Sequence, residues 1–385
     1  MDFTLSKEHS MMRDLFRDFA EREVEPLAQD VDETHRFPRE TVEKLKKNGF
    51  LGIPFDKKWG GQGCDTLSYV LCVEELSRVC ATTGVIVSAH TSLCADCINH
   101  FGSDAQKEKY LIPLAKGEKL GAFALTEPEA GTDAAGTQTR AELQGDFYLL
   151  NGSKIFITNA GEADVYVVFA MTDKSQGTHG ISAFIVEKGT PGFDFGLPEK
   201  KMGIHGSSTR ELIFIDCKIP KENLLGKEGK GFGIAMTTLD GGRIGIAAQA
   251  LGIAQGALDK TVAYVKERKQ FGRPIAKFQN TQFTLAQMKT EVEAARYLVY
   301  RAALAKDAAN KARKPQRFSV EAAMAKLKAS RVAEYVADRA VQLHGGYGYM
   351  QDYDVERMMR DAKITEIYEG TSEVMEMVIS GDMLK

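Results

Sequence analysis

The hydrophobic period of this chain changes twice, and that double switch restricts its fold more than any single residue does. From residue 6 to about residue 120 the apolar positions recur at helical spacing. Met11, Leu15, Phe16, Phe19 and Val24 begin the pattern, which predicts a first helix ending before Pro26. Breaks at Pro38, Pro54, Gly60-Gly61 and Gly63 lead into amphipathic stretches over 67–79, 84–101 and 105–115, the last with Pro113 inside it. Between about 121 and 225 the period becomes that of strands. The runs 147–150, 154–157, 165–170, 181–186 and 211–215 are bounded by Asn151-Gly152, Gly177, Gly189 and Pro191-Gly192, and they predict a compact antiparallel β domain. From residue 231 the chain is Ala-rich and helical again. Long segments over 233–269, 280–309, 320–343 and 354–364, with short links, predict a bundle. The order all-α, β, all-α gives an α+β chain in three parts, 1–120, 121–230 and 231–385, and argues against a doubly wound sheet.

Charge and composition narrow the function. The 50 basic and 53 acidic residues leave a net charge of −3, so there is no basic footprint for nucleic acid or an anionic membrane. No apolar run approaches the roughly 20 residues of a membrane helix, and Met1-Asp2-Phe3-Thr4 does not open a secretion signal. The expectation is a soluble, unprocessed, cytoplasmic protein with small soluble partners. Six cysteines sit mostly in apolar surroundings, as free core thiols do; Cys94 and Cys97 form a C-x-x-C without a second pair. His90, His100, His205 and His344 have no second histidine at ligand spacing, so no metal is assigned. Walker, Gly-x-Gly-x-x-Gly and Gly-x-Ser-x-Gly signatures are missing from the sequence.

Six short constellations could carry chemistry, and each also has a plain structural reading. In Tyr368-Glu369-Gly370-Thr371 a carboxylate precedes a glycine that lets backbone approach a ligand; the same letters describe a solvated turn acid capped by Thr371. The run Ala124 to Asp133 mixes small residues and hydroxyls that could cradle a pyrophosphate, or form an ordinary acidic loop. Phe156-Ile157-Thr158-Asn159 offers an aromatic and a hydroxyl to a flat ring, or is a core strand ending in a turn. Asp240-Gly241-Gly242-Arg243 reads as a tight turn entering a long helix, with Arg243 orienting a substrate or standing idle beside an N-cap. Arg268-Lys269-Gln270-Phe271-Gly272 suits an adenosine diphosphate, or is a helix end with its cap. In Gln342 to Tyr349 the glycines Gly345, Gly346 and Gly348 could touch a ligand or a second subunit, or simply end a helix.

Taken in this order, the six constellations closely resemble the acyl-CoA dehydrogenase family, and the likeness runs from Phe3 to the C-terminus. The wording from Thr238 to Ala254 looks most like the short-chain, butyryl-CoA branch of anaerobic bacteria. The resemblance implies an N-terminal helical domain, a middle β domain and a C-terminal four-helix bundle, assembled as a homotetramer with one FAD per subunit. It implies an oxidoreductase acting on a CH–CH group, in which Glu369 removes the α-proton of an acyl thioester while the β-hydrogen leaves as hydride to flavin N5. The thioester oxygen would be polarised by the Glu369 backbone N–H and an FAD ribityl hydroxyl, each donor worth about 3–4 kcal/mol.

By the same resemblance Phe123, Leu125, Thr126, Gly131 and Thr132 belong to the flavin and pyrophosphate loop, Thr132 also lying near the CoA. Phe156, Ile157 and Thr158 lie against the flavin ring, Phe156 standing where many relatives carry tryptophan. Arg268, Gln270, Phe271 and Gln279, with Gln342, Gly345 and Gly346, hold the FAD diphosphate and adenosine across a subunit boundary. Thr371 and Glu373 supply further FAD contacts, while Asp240, Arg243 and Gly370 lie on the substrate side. Some branches, including the isovaleryl-specific one, carry the base on the helix after Asp240; Gly242 occupies that position here. The implied partner is an electron-transferring flavoprotein, which also sets the direction of the reaction. The alternatives are an acyl-CoA oxidase, whose chains usually carry a longer C-terminal extension, and a non-catalytic scaffold of the same fold.

Overall fold

In the computed structural model, which describes residues 4–312 and 316–385, the two switches of period become three packed layers. Phe3, where the family likeness begins, lies outside the described residues. The N-terminal part is helical, and its helix Thr66–Val79 is buried on nearly every side. Asp65 caps that helix by accepting from the Ser68 amide at 2.9 Å, and Cys80 breaks it with extended backbone. Pro26 does not end the first helix. The chain passes from Lys7–Phe19 through a π turn, Ala20–Val24, into Glu25–Thr34. Pro26 thereby falls in a first helical turn, where its missing N–H costs nothing.

The middle part is an eight-stranded sheet: β1 (Gly121–Ala124), β2 (Arg140–Gln144), β3 (Phe147–Thr158), β4 (Val165–Met171), β5 (Ile181–Glu187), β6 (Phe193–Pro198), β7 (Thr209–Pro220) and β8 (Leu224–Leu225). The order is β6-β7-β3-β2-β4-β5-β8, with β1 beside β4. Most pairs are antiparallel, but β1 runs parallel to β4, as does the short β2–β4 contact, so the sheet is mixed rather than purely antiparallel. Strand β4 reads as a continuous apolar run because both its faces are covered. Val165, Val167 and Phe169 pack with Leu114 and Ile234, while Tyr166, Val168 and Ala170 pack with Tyr148, Leu150 and Phe184. Asn151-Gly152 is not a turn either. It is a bulge within β3, where the register against β7 shifts between Leu150 and Gly152. Gly152 has φ 142°, and a side chain there would come within 2.7 Å of Thr139.

The C-terminal part contains helices Gly231–Glu267, Gln279–Lys311, Ser319–His344, Asp354–Ile364 and Ser372–Met383. The first is apolar almost all round, so it runs between the N-terminal helices and its own bundle rather than along a surface. One continuous core joins these two helical parts, with Val70 and Leu76 on one side of Ile246 and Leu251, and Val299 and Val336 on the other. Glu74 adds a polar tie: it pairs with Arg296 and accepts from the Tyr300 hydroxyl at 2.8 Å.

Candidate active site

Seven non-glycine residues among those described have positive φ, and three of them are site residues expected from sequence: Phe156 (59°), Phe271 (51°) and Glu369 (54°). Left-handed backbone costs such residues about 1–2 kcal/mol, so each corner must be held by its surroundings.

The Glu369 corner is held by two buried cations. The chain leaves helix Asp354–Ile364, turns through Glu369 and Gly370 (φ 103°), and enters helix Ser372–Met383, which Thr371 caps by accepting from the Val374 amide at 3.4 Å. Arg243 Nε donates to the Glu369 carbonyl at 3.4 Å, and Lys326 Nζ to the Gly370 carbonyl at 2.7 Å. Arg243 is itself fixed by Asp240 at 2.7 Å, and Asp240 accepts from Ser319 Oγ at 2.5 Å. Asp240 and Arg243 do not form a turn at a helix entrance. They lie within helix Gly231–Glu267, three residues apart and therefore on one face.

Gly242 supplies space instead of a bend: a side chain there would overlap Glu369 Oε2 and stand 2.6 Å from Leu93 Cδ2. Glu369 is half-buried as a residue, but Oε2 is buried and has no hydrogen-bond partner among the described residues. Burial pushes its pKa up to about 8, against the pull of Lys326 and Arg243. A carboxylate of that affinity can take a proton near neutral pH.

Leu93 reaches Gly242 from the π turn Ala89–Ala95, which also carries His90 to the sheet. His90 Nδ1 accepts from the Gly121 amide at 3.0 Å, and its Nε2–H donates to the Leu114 carbonyl at 3.2 Å. Burial lowers its pKa to about 4, so the ring stays neutral and ties β1 to the helices. The loop after β1 is pinned by a buried ion pair. Lys154 Nζ contacts Glu127 Oε1 at 2.7 Å and the Leu125 carbonyl at 3.0 Å, while Glu127 accepts from the Gln138 and Thr139 amides at 2.6 and 3.0 Å. The Thr126 carbonyl accepts from the Ile155 amide at 2.9 Å, which fastens the loop to β3.

Gly131 and Thr132 are exposed at the tip of this loop. Phe123 packs on Phe169 at 5.0 Å, and Leu125 is buried. On β3, Phe156 is 61% exposed and Thr158 partly so, but Ile157 lies in the sheet core and only its backbone can meet a ligand.

Arg268, Gln270, Gln342, Gly345 and Gly346 come together elsewhere. They line an open cleft of about 580 Å³ with Tyr264, His344 and Tyr347. Helix Ser319–His344 ends there because Gly345 takes φ 62°. Tyr264 stacks on His344 at 4.1 Å and the Arg268 guanidinium lies 5.1 Å over the Tyr347 ring. Phe271 is 93% exposed beside the cleft without lining it, and Gln279 is exposed at the start of its helix. Glu369, Thr371, Glu373 and the loop from Phe123 to Thr132 do not line this cleft, so the expected residues do not all gather there within one chain. Sequence reasoning missed Lys326, Leu93 and the Glu127–Lys154 pair. The signal for Lys326 was there: it interrupts the buried small-residue stripe of Ala322, Ala325, Ala329 and Ala333.

Comparison with known proteins accords with this architecture. Family models described as the N-terminal, middle and C-terminal domains of acyl-CoA dehydrogenase match residues 6–118, 122–217 and 229–384. The short-chain specific acyl-CoA dehydrogenase of Clostridium acetobutylicum is 61% identical over 385 residues, all of both chains. The structure of butyryl-CoA dehydrogenase from Megasphaera elsdenii superposes with a TM-score of 0.97 at 55% identity, covering 100% of each chain. A chain from a structure described as the electron transferring flavoprotein of Acidaminococcus fermentans, in work on flavin-based electron bifurcation, gives 0.98 at 59% identity, again over 100% of each. With three consecutive domain models matched and relatives alike along its whole length, this chain belongs to the acyl-CoA dehydrogenase family.

Proposed function

We propose that this chain is an FAD-dependent short-chain acyl-CoA dehydrogenase interconverting butyryl-CoA and crotonyl-CoA, with Glu369 as the base. The observation that carries the reading is the buried, unpartnered Glu369 Oε2 facing the space that Gly242 leaves open. A buried acceptor without a donor calls for an explanation, and a substrate α-proton provides one. Gly242 also removes the rival base: any side chain at that position would compete for the volume that the Glu369 carboxylate occupies.

The residues present fit FAD. A guanidinium (Arg268), two side-chain amides (Gln270, Gln342) and the backbone of Gly345 and Gly346, where an added Cβ would meet nothing within 4 Å, form a donor set for a diphosphate. The exposed Phe156 ring is a platform for a flat heterocycle, with Thr158 beside it, and the Glu127–Lys154 pair stiffens the loop that presents Thr126, Gly131 and Thr132. When bound, FAD would supply the acceptor for the hydride that leaves the β-carbon, with an electron-transferring flavoprotein as the partner that exchanges the electrons. Glu369 takes the α-proton as the Cα–Cβ double bond forms, and Asp240 and Arg243 orient the substrate beside it. Because the cleft at Arg268 is open and separate from Glu369, we read it as half of a site completed by a second copy within a homotetramer. We take the three parts of the chain as 1–120, 121–230 and 231–385.

The purified holoprotein should be yellow and should bleach when butyryl-CoA is added without air, faster than with octanoyl-CoA. Glu369→Gln should keep FAD but lose bleaching by at least about a hundredfold, the contribution of a positioned general base. Normal bleaching by that variant would refute the assignment. Protein that stays colourless with added FAD would remove the enzyme reading altogether, and rapid reoxidation in air would turn it towards an oxidase.

A further inference from the structure

Lys326 is a lysine in a place where lysine is costly. It is 0% exposed, on the buried stripe of helix Ser319–His344, and its ammonium donates to the Gly370 carbonyl at 2.7 Å. The charged groups acting on it are Glu369, Glu366 and Glu373 from the C-terminal segment and Arg243 from helix Gly231–Glu267. Glu369 in turn feels Lys326 and Arg243, and the buried Tyr69 phenol lies in its field from helix Thr66–Val79. Two cations from two helices thus grip consecutive carbonyls of a corner whose φ angles are 54° and 103°.

We infer that Lys326 is a positioning residue: by holding the Gly370 carbonyl it locks the left-handed Glu369–Gly370 corner that aims the carboxylate across Gly242. The inference rests on Glu369 being the base. Arg243 alone is a weaker lock, because its bond to the Glu369 carbonyl is longer and its guanidinium is shared with Asp240. The Lys326 charge has a second effect, opposing the burial that raises the carboxylate's proton affinity.

The test uses Lys326→Met, which loses both charge and donor, and Lys326→Gln, which can still donate to the carbonyl. Both are compared as holoenzymes, with flavin absorbance reporting loading. The rate of reduction by butyryl-CoA is followed against pH, and the Glu369 carboxyl is titrated without substrate by infrared difference spectroscopy against Glu369→Gln. Lys326→Met is expected to lower the maximal rate by about tenfold to a hundredfold with little change in KM, as when a reacting group is misplaced. In both variants the acid limb and the carboxyl titration move to higher pH by about one unit or more, the scale of losing a nearby charge in a poorly screened site. Lys326→Gln should retain more of the maximal rate than Lys326→Met. A loss equal at every pH with the carboxyl titration unmoved, or wild-type rates in both variants, overturns the inference. Should Lys326→Met not fold, Lys326→Gln carries the same pH test. Normal reduction by Glu369→Gln itself would instead overturn the reading of the base.

Discussion

Glu369 joins three properties that rarely occur together in one turn: a left-handed φ, a buried carboxylate oxygen without a partner among the described residues, and a pKa raised to about 8. Its proton affinity links activity and stability in opposite senses. A carboxyl whose folded pKa lies above the unfolded value of 4.5 stabilises fully only below that value, and the benefit is lost as pH rises towards 8. Glu369→Gln removes this loss, so its melting temperature relative to wild type should rise between pH 5 and pH 8, measured by calorimetry on matched holoproteins. A difference that is flat or falls with pH would contradict the raised pKa. Gly242→Ala tests the same spot by volume. Its methyl must displace Glu369 Oε2 or Leu93, so turnover should fall by about a hundredfold, as when a reacting group is misplaced, while FAD remains bound. The acid and the glycine were both legible in sequence. That they face each other was not, because Gly242 stands on a helix and Glu369 in a turn 127 positions further along the chain.

Among the elements, helix Gly231–Glu267 and strand β3 account for most of the differences from sequence expectation. A Gly-Gly pair after an aspartate reads as a turn, yet here both glycines stay helical because the surrounding core covers the helix on all sides. Tertiary burial outweighed a propensity cost of about 1 kcal/mol per glycine. Further along the same helix, Gly252 and Gly256 let it approach the carbonyls of Glu74 and Arg78 so closely that a side chain at either would overlap them. Gly256→Ala should therefore destabilise by about 1–3 kcal/mol, the cost of overpacking, although alanine is the better helix former; denaturant unfolding measures it. Strand β3 absorbs Asn151-Gly152 as a bulge and brings Lys154 inward to Glu127. Lys154→Met should cost about 3–5 kcal/mol by leaving a buried carboxylate unpaired. Removing Glu127 as well should restore only part of that, since the Gln138 and Thr139 amides would lose their acceptor.

Across the whole molecule, the cleft at Arg268 does not include Glu369, and the assembly proposed above would couple subunit association to cofactor binding. If a second copy completes the cleft at Arg268, FAD retention should fall when the protein is diluted below its assembly threshold, as sedimentation combined with flavin fluorescence would reveal. Arg268→Ala should weaken FAD binding by about tenfold or more without moving the acyl chain-length preference, since Arg268 lines a cleft that Glu369 does not line. The sequence by itself determined the order of helical, strand and helical parts, the apolar faces, and the ordered motifs that carry the family likeness, because hydrophobic period and local turn chemistry are properties of neighbouring residues. Only the tertiary structure decided which faces meet. It brought Arg243 to Glu369 across 126 positions and Lys326 to Gly370 across 44, and it opened the volume at Gly242. Periodicity states that a face is buried but not against what, so the burial that raises the proton affinity of one glutamate emerges only when distant helices pack.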